Sequence, residues 1–172
     1  MRKIIIGILL IVLGAITPTI CVVKDIQFNQ DCGGYLKQAA DANTPEIALD
    51  RVNKALAYIE ANKLTYGYTS VLWKTEDENV AFWYDNIKAC KSELEDCIHS
   101  SQLEKTNVLM KVRESLTDND EKGTALTIPE GISRYPNNEV YFLFIWLSIV
   151  SIIGGIILIA IGAEAEFEWL KT

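Results

Sequence analysis

The sequence predicts a mainly α protein: a two-transmembrane-helix hairpin with an exported antiparallel bundle of about four helices and a small two-stranded β ribbon. Two apolar runs without Asp, Glu, Lys or Arg, Ile4–Val23 and Val140–Ala163, lie near the two ends of the chain. Each run is long enough to cross a hydrocarbon core of roughly 30 Å, which takes about 20 helical residues. The polar segment between them contains helix-capping motifs and helical spacing of apolar residues.

The first apolar run is expected to remain as an uncleaved signal anchor. It is longer than the usual h-region of a signal peptide, about 7–15 residues, and Ala15-Ile16-Thr17 is a poor cleavage site. Arg2 and Lys3 precede the run and favour a cytoplasmic N-terminus. The predicted order is a cytoplasmic N-terminus (1–3), a first span (4–23), an exported helical domain (24–139), a second span (140–163) and a cytoplasmic tail (164–172).

The charge of the chain lies in the segment between the spans. The formal net charge is −7. Counting along the sequence, 13 Lys or Arg and 20 Asp or Glu fall within 24–139, and 13 − 20 reproduces the whole value. An acidic domain repels phosphate backbones, so nucleic acid is not an expected partner.

Four helices are predicted in the exported domain, over about 28–42, 44–63, 75–95 and 101–116. Thr44-Pro45 is a typical helix start, with a capping hydroxyl followed by proline at the first helical position. Thr75–Glu78 and Ser101–Glu104 both match the capping-box pattern. Short connections between such helices favour an antiparallel bundle.

A two-stranded ribbon is expected from two stretches rich in aromatic and β-branched residues. These stretches are Leu64–Lys74 and Thr124–Ile128, which we expect to pair with each other. Residues 129–138 are rich in turn-forming residues and are expected to link the domain to the second span.

Small residues recur at helical spacing in both spans. Gly7 and Gly14 are seven residues apart, as are Gly155 and Gly162, and Ser151 precedes Gly155 by four. Small residues at such spacing mark close helix contacts in lipid. These faces are expected either to pack the two spans of one chain together or to build an oligomer, and we predict an interchain contact for at least one pair.

Three cysteines lie in the domain expected to be exported, where disulfides form. Cys90 and Cys97 are the favoured pair, on the premise that the chain reverses near Asp96–Ser100 and lets Cys97 fold back on the end of the preceding helix. A Cys32–Cys90 bond and free buried thiols are the alternatives, and the sequence does not decide whether Cys32 is paired. The single histidine and the absence of a Cys-x-x-Cys motif argue against a zinc site.

Aromatic residues are concentrated between positions 66 and 84. Trp73, Phe82, Trp83 and Tyr84 form a candidate partner-binding patch, because Trp and Tyr often anchor interfaces. Three consecutive aromatic residues spread over about 200° of a helix, so at least one is expected near the surface. The alternative is that the ribbon covers them.

The sequence predicts no enzyme and no cofactor, since it has neither a phosphate loop nor a dinucleotide fingerprint. The leading hypothesis is a membrane-anchored, non-enzymatic interaction or scaffold protein, expected to contact lipid and to bind a protein partner or itself as a homo-oligomer. The second is a ligand-sensing domain, because helices between two spans resemble the exported region of chemoreceptors and sensor kinases in architecture. Such a sensor would signal through a separate partner. A small oligomeric channel is a third reading, which the uncharged spans disfavour.

Overall fold

The computed structural model describes residues 1–120 and 123–169. The chain divides into two units: an apolar helix pair (residues 1–24 and 137–172) and a polar domain (25–136). Residues 170–172 of the predicted tail lie outside the described residues.

The described elements are mainly helical, as predicted. In chain order the helices and strands are α1 (Arg2–Phe28), α2 (Gly34–Ala40), α3 (Pro45–Ala61), α4 (Val80–Cys97), α5 (Gln102–Leu116), β1 (Thr117–Asp120), β2 (Gly123–Leu126) and α6 (Asn138–Trp169). A π-helical turn, Asn29–Gly33, separates α1 from α2, and short 3-10 turns cover Glu76–Glu78 and Ile132–Arg134.

Two stretches of helix are long and apolar enough to cross a membrane. They are Arg2–Ala40 and Asn138–Glu166. In the most apolar window of each, only 17% and 11% of the residues are buried. The apolar side chains therefore mostly face outward, unlike those of a helix in the core of a soluble domain.

The glycines of the apolar helix pair lie where α1 and α6 touch. A Cβ added at Gly7 would lie 2.6 Å from the Gly155 carbonyl oxygen, and one at Gly155 would lie 2.6 Å from the Gly7 carbonyl oxygen. At Gly14 the nearest backbone atom is the Ser148 carbonyl oxygen at 2.9 Å. These positions have no room for a side chain, so the antiparallel helices approach closely.

Two more of the predicted packing residues contribute to the same contact. A Cβ at Gly162 would meet Ile4 Cγ1 at 2.7 Å, and the Ser151 hydroxyl donates a 2.8 Å hydrogen bond to the Leu10 carbonyl. All four predicted glycine positions are thus filled by the other helix of the same chain. The close contact is therefore found within one chain, and the interchain contact expected for at least one pair stays a prediction.

The helices of the polar domain begin largely where the capping motifs predict. The Thr44 hydroxyl accepts from the Ile47 amide at the start of α3, and the Ser101 hydroxyl accepts from the Glu104 amide at the start of α5. The start of α4 differs from the prediction. Asn79, which accepts from the Ala81 and Phe82 amides, caps this helix, while Thr75 begins the preceding 3-10 turn.

The core of the polar domain lies between α2, α3, α4 and α5. Its fully buried larger aliphatic side chains lie on these helices and are Leu36, Val52, Ile59, Val80, Ile87, Leu94 and Val112. Burying a side chain of this size stabilises the fold by about 1.5–3 kcal/mol. Helical spacing would also place Ile47 of α3 and Leu103 of α5 on the apolar faces, but these side chains are 47% and 73% exposed.

The two-stranded sheet is present, but one of its predicted strands is wrong. β1 pairs antiparallel with β2, with Thr117 opposite Leu126 and Asp118 opposite Ala125. Leu64–Lys74 contributes only an isolated bridge between Tyr68 and Asn79. The local pairing is favoured because β1 and β2 are close in sequence, so that little entropy is lost in bringing them together, and Gly123 at the start of β2 has φ +125°.

Candidate functional site

A groove of about 630 Å³ opens on the polar domain between α4 and the β hairpin. One wall is the start of α4 with the 3-10 turn before it, including Phe82 and Trp83. The opposite wall is Ala125–Pro129, and Leu116 and Ile87 contribute apolar surface. A volume of this size is in the usual range of small-molecule sites, roughly 300–1,000 Å³.

Local hydrogen bonds fix the α4 wall of the groove. The Thr69 amide donates to the Glu78 carbonyl at 3.1 Å, and the Val80 amide donates to the Gly67 carbonyl at 2.9 Å. The Asn79 side chain donates to Glu76 Oε2 at 3.1 Å while its oxygen caps α4. The turn that carries Glu76 is therefore tied both to the preceding loop and to the helix start.

The β-hairpin wall continues directly from α5. The Thr127 amide donates to the Leu116 carbonyl at 2.9 Å, which extends the pairing of β1 and β2 by one further bond. This bond holds Leu126 and Ile128 next to the end of α5, facing the aromatic wall across the groove.

Trp83 has a donor without an acceptor. Its side chain is 5% exposed, and its indole Nε1 has no hydrogen-bond partner among the described residues. Leaving a buried donor unpaired costs about 1–3 kcal/mol. Each such group in a native structure calls for an explanation, and a group at the wall of a groove can be satisfied by a ligand.

Among the described residues that line the groove, every charged side chain is negative. Glu76, Asp77 and Asp118 contribute carboxylates, and no Lys or Arg is among the described lining residues. The charge of Glu76 affects its neighbour, because it raises the pKa of the nearby Tyr68 hydroxyl. An apolar groove with carboxylates of one sign favours cationic ligands.

The structure divides the predicted aromatic patch. Phe82, 63% exposed, and Trp83 both line the groove. Tyr84 turns away and donates a 2.9 Å hydrogen bond to Glu60, which raises the pKa of its hydroxyl. Trp73 is 77% exposed in the loop before α4 and does not line the groove. The neighbouring Phe82 and Trp83 thus have opposite burial, as the wide angular spread of the three aromatics requires.

Sequence reasoning did not find the acidic residues or the hairpin wall. The capping-box pattern places Glu76 and Asp77 at a helix start, and no sequence pattern assigns a role to Asp118. The run of three acidic residues just before three aromatics was the available signal. Its meaning depends on the hairpin, which brings Ala125–Pro129 opposite α4 and which the sequence did not place correctly.

All four cysteines are buried free thiols. Cys90 and Cys97 both lie in α4, which runs unbroken through Cys97. Seven residues of helix separate their Cα atoms by roughly 10 Å, beyond the reach of a disulfide. The chain reverses only beyond Cys97, between α4 and α5, so Cys97 does not fold back on α4 as the expected Cys90–Cys97 bond requires. Burial raises the pKa of the Cys32 thiol to about 12.

Comparisons with protein-family models, with curated proteins and with solved structures found no match. Among residues 1–120 and 123–169, no group of His, Cys, Asp or Glu side chains is placed to hold a metal ion. The interpretation of the groove therefore rests on its own geometry and charge.

Proposed function

We propose that the chain is a membrane-anchored, non-enzymatic binding protein whose extracytoplasmic helical domain takes a partner in the groove beside Trp83. One observation carries the proposal: Trp83, whose buried indole N–H has no hydrogen-bond partner among the described residues, lines an open groove of ligand size. Exposed Phe82 adds an aromatic anchor at the same place, and buried aromatic anchors dominate many interfaces.

Anchoring is supported by the apolar helix pair. Its outward-facing side chains are large and apolar along both helices, and the glycine contacts hold the two helices together. Lipid would cover the exposed surface, which in water would be an aggregation liability. Because the glycine faces are filled within one chain, we do not propose that a homo-oligomer forms through them.

Photo-crosslinking in native membranes tests the binding function. Benzoylphenylalanine replaces Phe82 in one variant and Leu103 in a matched variant. Both native residues are highly exposed apolar side chains on helices of the same domain, but Leu103 does not line the groove. A discrete adduct is expected at position 82 and none at 103. Equal or absent crosslinking at the two positions would contradict a binding role for the groove.

Orientation is tested separately by labelling intact cells with a membrane-impermeant maleimide. Single cysteines replace Leu103 in the polar domain and Glu164 near the end of α6, and the unaltered chain is the control because its own thiols are buried. The proposal predicts labelling at 103 and protection at 164. The reverse pattern would place the polar domain in the cytoplasm.

A second candidate function is a ligand sensor that signals through a separate partner. The size of the groove favours it, because about 630 Å³ suits a small molecule. The mass of the crosslinked adduct separates the two functions: a gain below about 1 kDa indicates a small ligand, and a larger gain indicates a protein.

A further inference from the structure

The chemistry of the groove restricts the ligand that it can accept. This inference rests on the proposed binding function and goes further by naming the ligand class. We infer that the groove binds a small organic cation with an apolar body and a hydrogen-bond acceptor, the acceptor meeting the Trp83 indole N–H and the cation lying beside the Asp77 and Asp118 carboxylates.

The acceptor follows from the unpaired indole. Trp83 Nε1–H can only donate, and no acceptor among the described residues is in place for it. The nitrogen is closed to water in the empty groove, with less than 1 Å² of accessible surface. A ligand acceptor therefore reaches it only when the wall opens on entry, so binding must change the surroundings of Trp83.

The cationic group follows from the charges on the walls. Asp77 lies in the 3-10 turn before α4 and Asp118 in β1, and both line the groove. No described lysine or arginine lines the groove to neutralise them, and no ion pair of either residue is found among the described residues. A bound cation would therefore meet negative charge that no described cation offsets.

The apolar body follows from the rest of the lining. Ile87, Leu116, Leu126 and Ile128 face the groove together with Phe82. Apolar surface removed from water contributes about 25 cal/mol per Å². An aliphatic or aromatic group of a few carbons would cover Phe82, Leu126 and Ile128, whereas a purely polar cation would leave these partly exposed side chains in contact with water.

Three small molecules with a similar carbon skeleton test separately the need for the cation and the need for the hydrogen-bond acceptor. Leucinamide has an ammonium group, an isobutyl group and a carbonyl acceptor. Isoamylamine keeps the cation and the branched chain but lacks the acceptor. N-acetyl-leucine keeps the acceptor and the chain but carries a negative charge. The full chain is labelled with 5-fluorotryptophan, and fluorine NMR follows each tryptophan, with assignments from Phe substitutions.

The inference predicts a saturable shift of the Trp83 resonance with leucinamide, while the Trp73 resonance stays in place. Isoamylamine should bind about fivefold more weakly than leucinamide, because it lacks the carbonyl and one hydrogen bond contributes roughly this factor. N-acetyl-leucine should give no saturable shift. The double variant Asp77→Asn/Asp118→Asn should weaken leucinamide binding about three- to tenfold, as expected for exposed ion pairs, and reduce its salt dependence.

Trp83→Phe supplies a further control, measured on protein that keeps the wild-type circular dichroism spectrum and still binds isoamylamine. Without the indole donor, the carbonyl of leucinamide has no hydrogen-bond partner at this position. Leucinamide and isoamylamine should therefore bind this variant with equal affinity in a calorimetric titration. A preference for leucinamide that survives in Trp83→Phe would overturn the role of the indole.

Binding of N-acetyl-leucine as tight as that of leucinamide would overturn the cationic assignment. No saturable shift with leucinamide would overturn the ligand class as a whole. The proposed function would still stand if Phe82 crosslinks a partner, whereas failure of both the probes and the crosslink would refute the function as well.

Discussion

Replacing Gly155 by alanine should separate the two apolar helices, and the cost can be worked out from the structure. The new Cβ would lie 2.6 Å from the Gly7 carbonyl oxygen and 2.7 Å from Ile11 Cγ1. Carbon–oxygen contacts are normally near 3.3–3.6 Å, so the helices must move apart by about 0.8 Å. The Ile11 side chain can rotate, but the Gly7 oxygen belongs to the backbone.

A gap of this size removes a quarter to a half of the dispersion energy of each contact, which is about 0.1–0.2 kcal/mol per atom pair. If the contact equals that of one buried leucine, about 50 pairs at about 0.15 kcal/mol each, the loss is about 2–4 kcal/mol. Alanine recovers about 1 kcal/mol through its higher helix propensity, so the net destabilisation should be about 1–3 kcal/mol.

Gly154 provides the matched control, because a Cβ there has nothing within 4 Å. Gly154→Ala has the same gain in helix propensity but causes no steric overlap with α1. The stability of this variant should therefore be unchanged or higher by up to about 1 kcal/mol. Dyes at Arg2 and Glu164 report the helix separation by energy transfer during SDS titration of the detergent-solubilised chain. Equal midpoints for the two variants would refute the close contact at Gly155.

Three further predictions concern the polar domain and its thiols. Asn79→Ala should cost about 1 kcal/mol in thermal stability, because it removes the cap of α4, and an unchanged unfolding midpoint would reject this role. Cys32 should react with maleimide at pH 8 only after unfolding, since its raised pKa reflects burial, and rapid labelling of the folded chain would contradict this. The same thiol ionises near its ordinary pKa of 9.0 when unfolded but near 12 when folded, so stability should fall between those pH values by up to about 4 kcal/mol. Denaturation of wild type and Cys32→Ala at pH 8 and 10.5 measures this, because only the difference between their pH slopes belongs to Cys32.

The helical part of the fold was largely predictable because its signals are local. Thr44 and Ser101 act as caps through bonds to amides three residues away, and the apolar stripe of α3 buries Val52 and Ile59 as its spacing predicts. The start of α4 was misplaced by four residues, because Thr75–Glu78 forms a 3-10 turn and the better cap, Asn79, follows it.

The candidate site was less predictable because it depends on contacts between segments far apart in sequence. Trp83 and Phe82 were identified by their aromatic character, but which of the two is buried depends on the packing of α4. Asp118 joins Asp77 only because β1 follows α5 and turns back through Gly123. The glycine spacing predicted a close helix contact, yet spacing alone does not say which helix supplies the partner.

Native mass spectrometry of the full chain, released from its own membranes, tests the central claim most directly. The claim is that the groove beside Trp83 is a binding site. Wild type and Trp73→Phe, whose substitution lies outside the groove, should carry the same added mass. Trp83→Phe should lose most of it while keeping the wild-type circular dichroism spectrum. An identical added mass in all three proteins, or none in any of them, would contradict the claim.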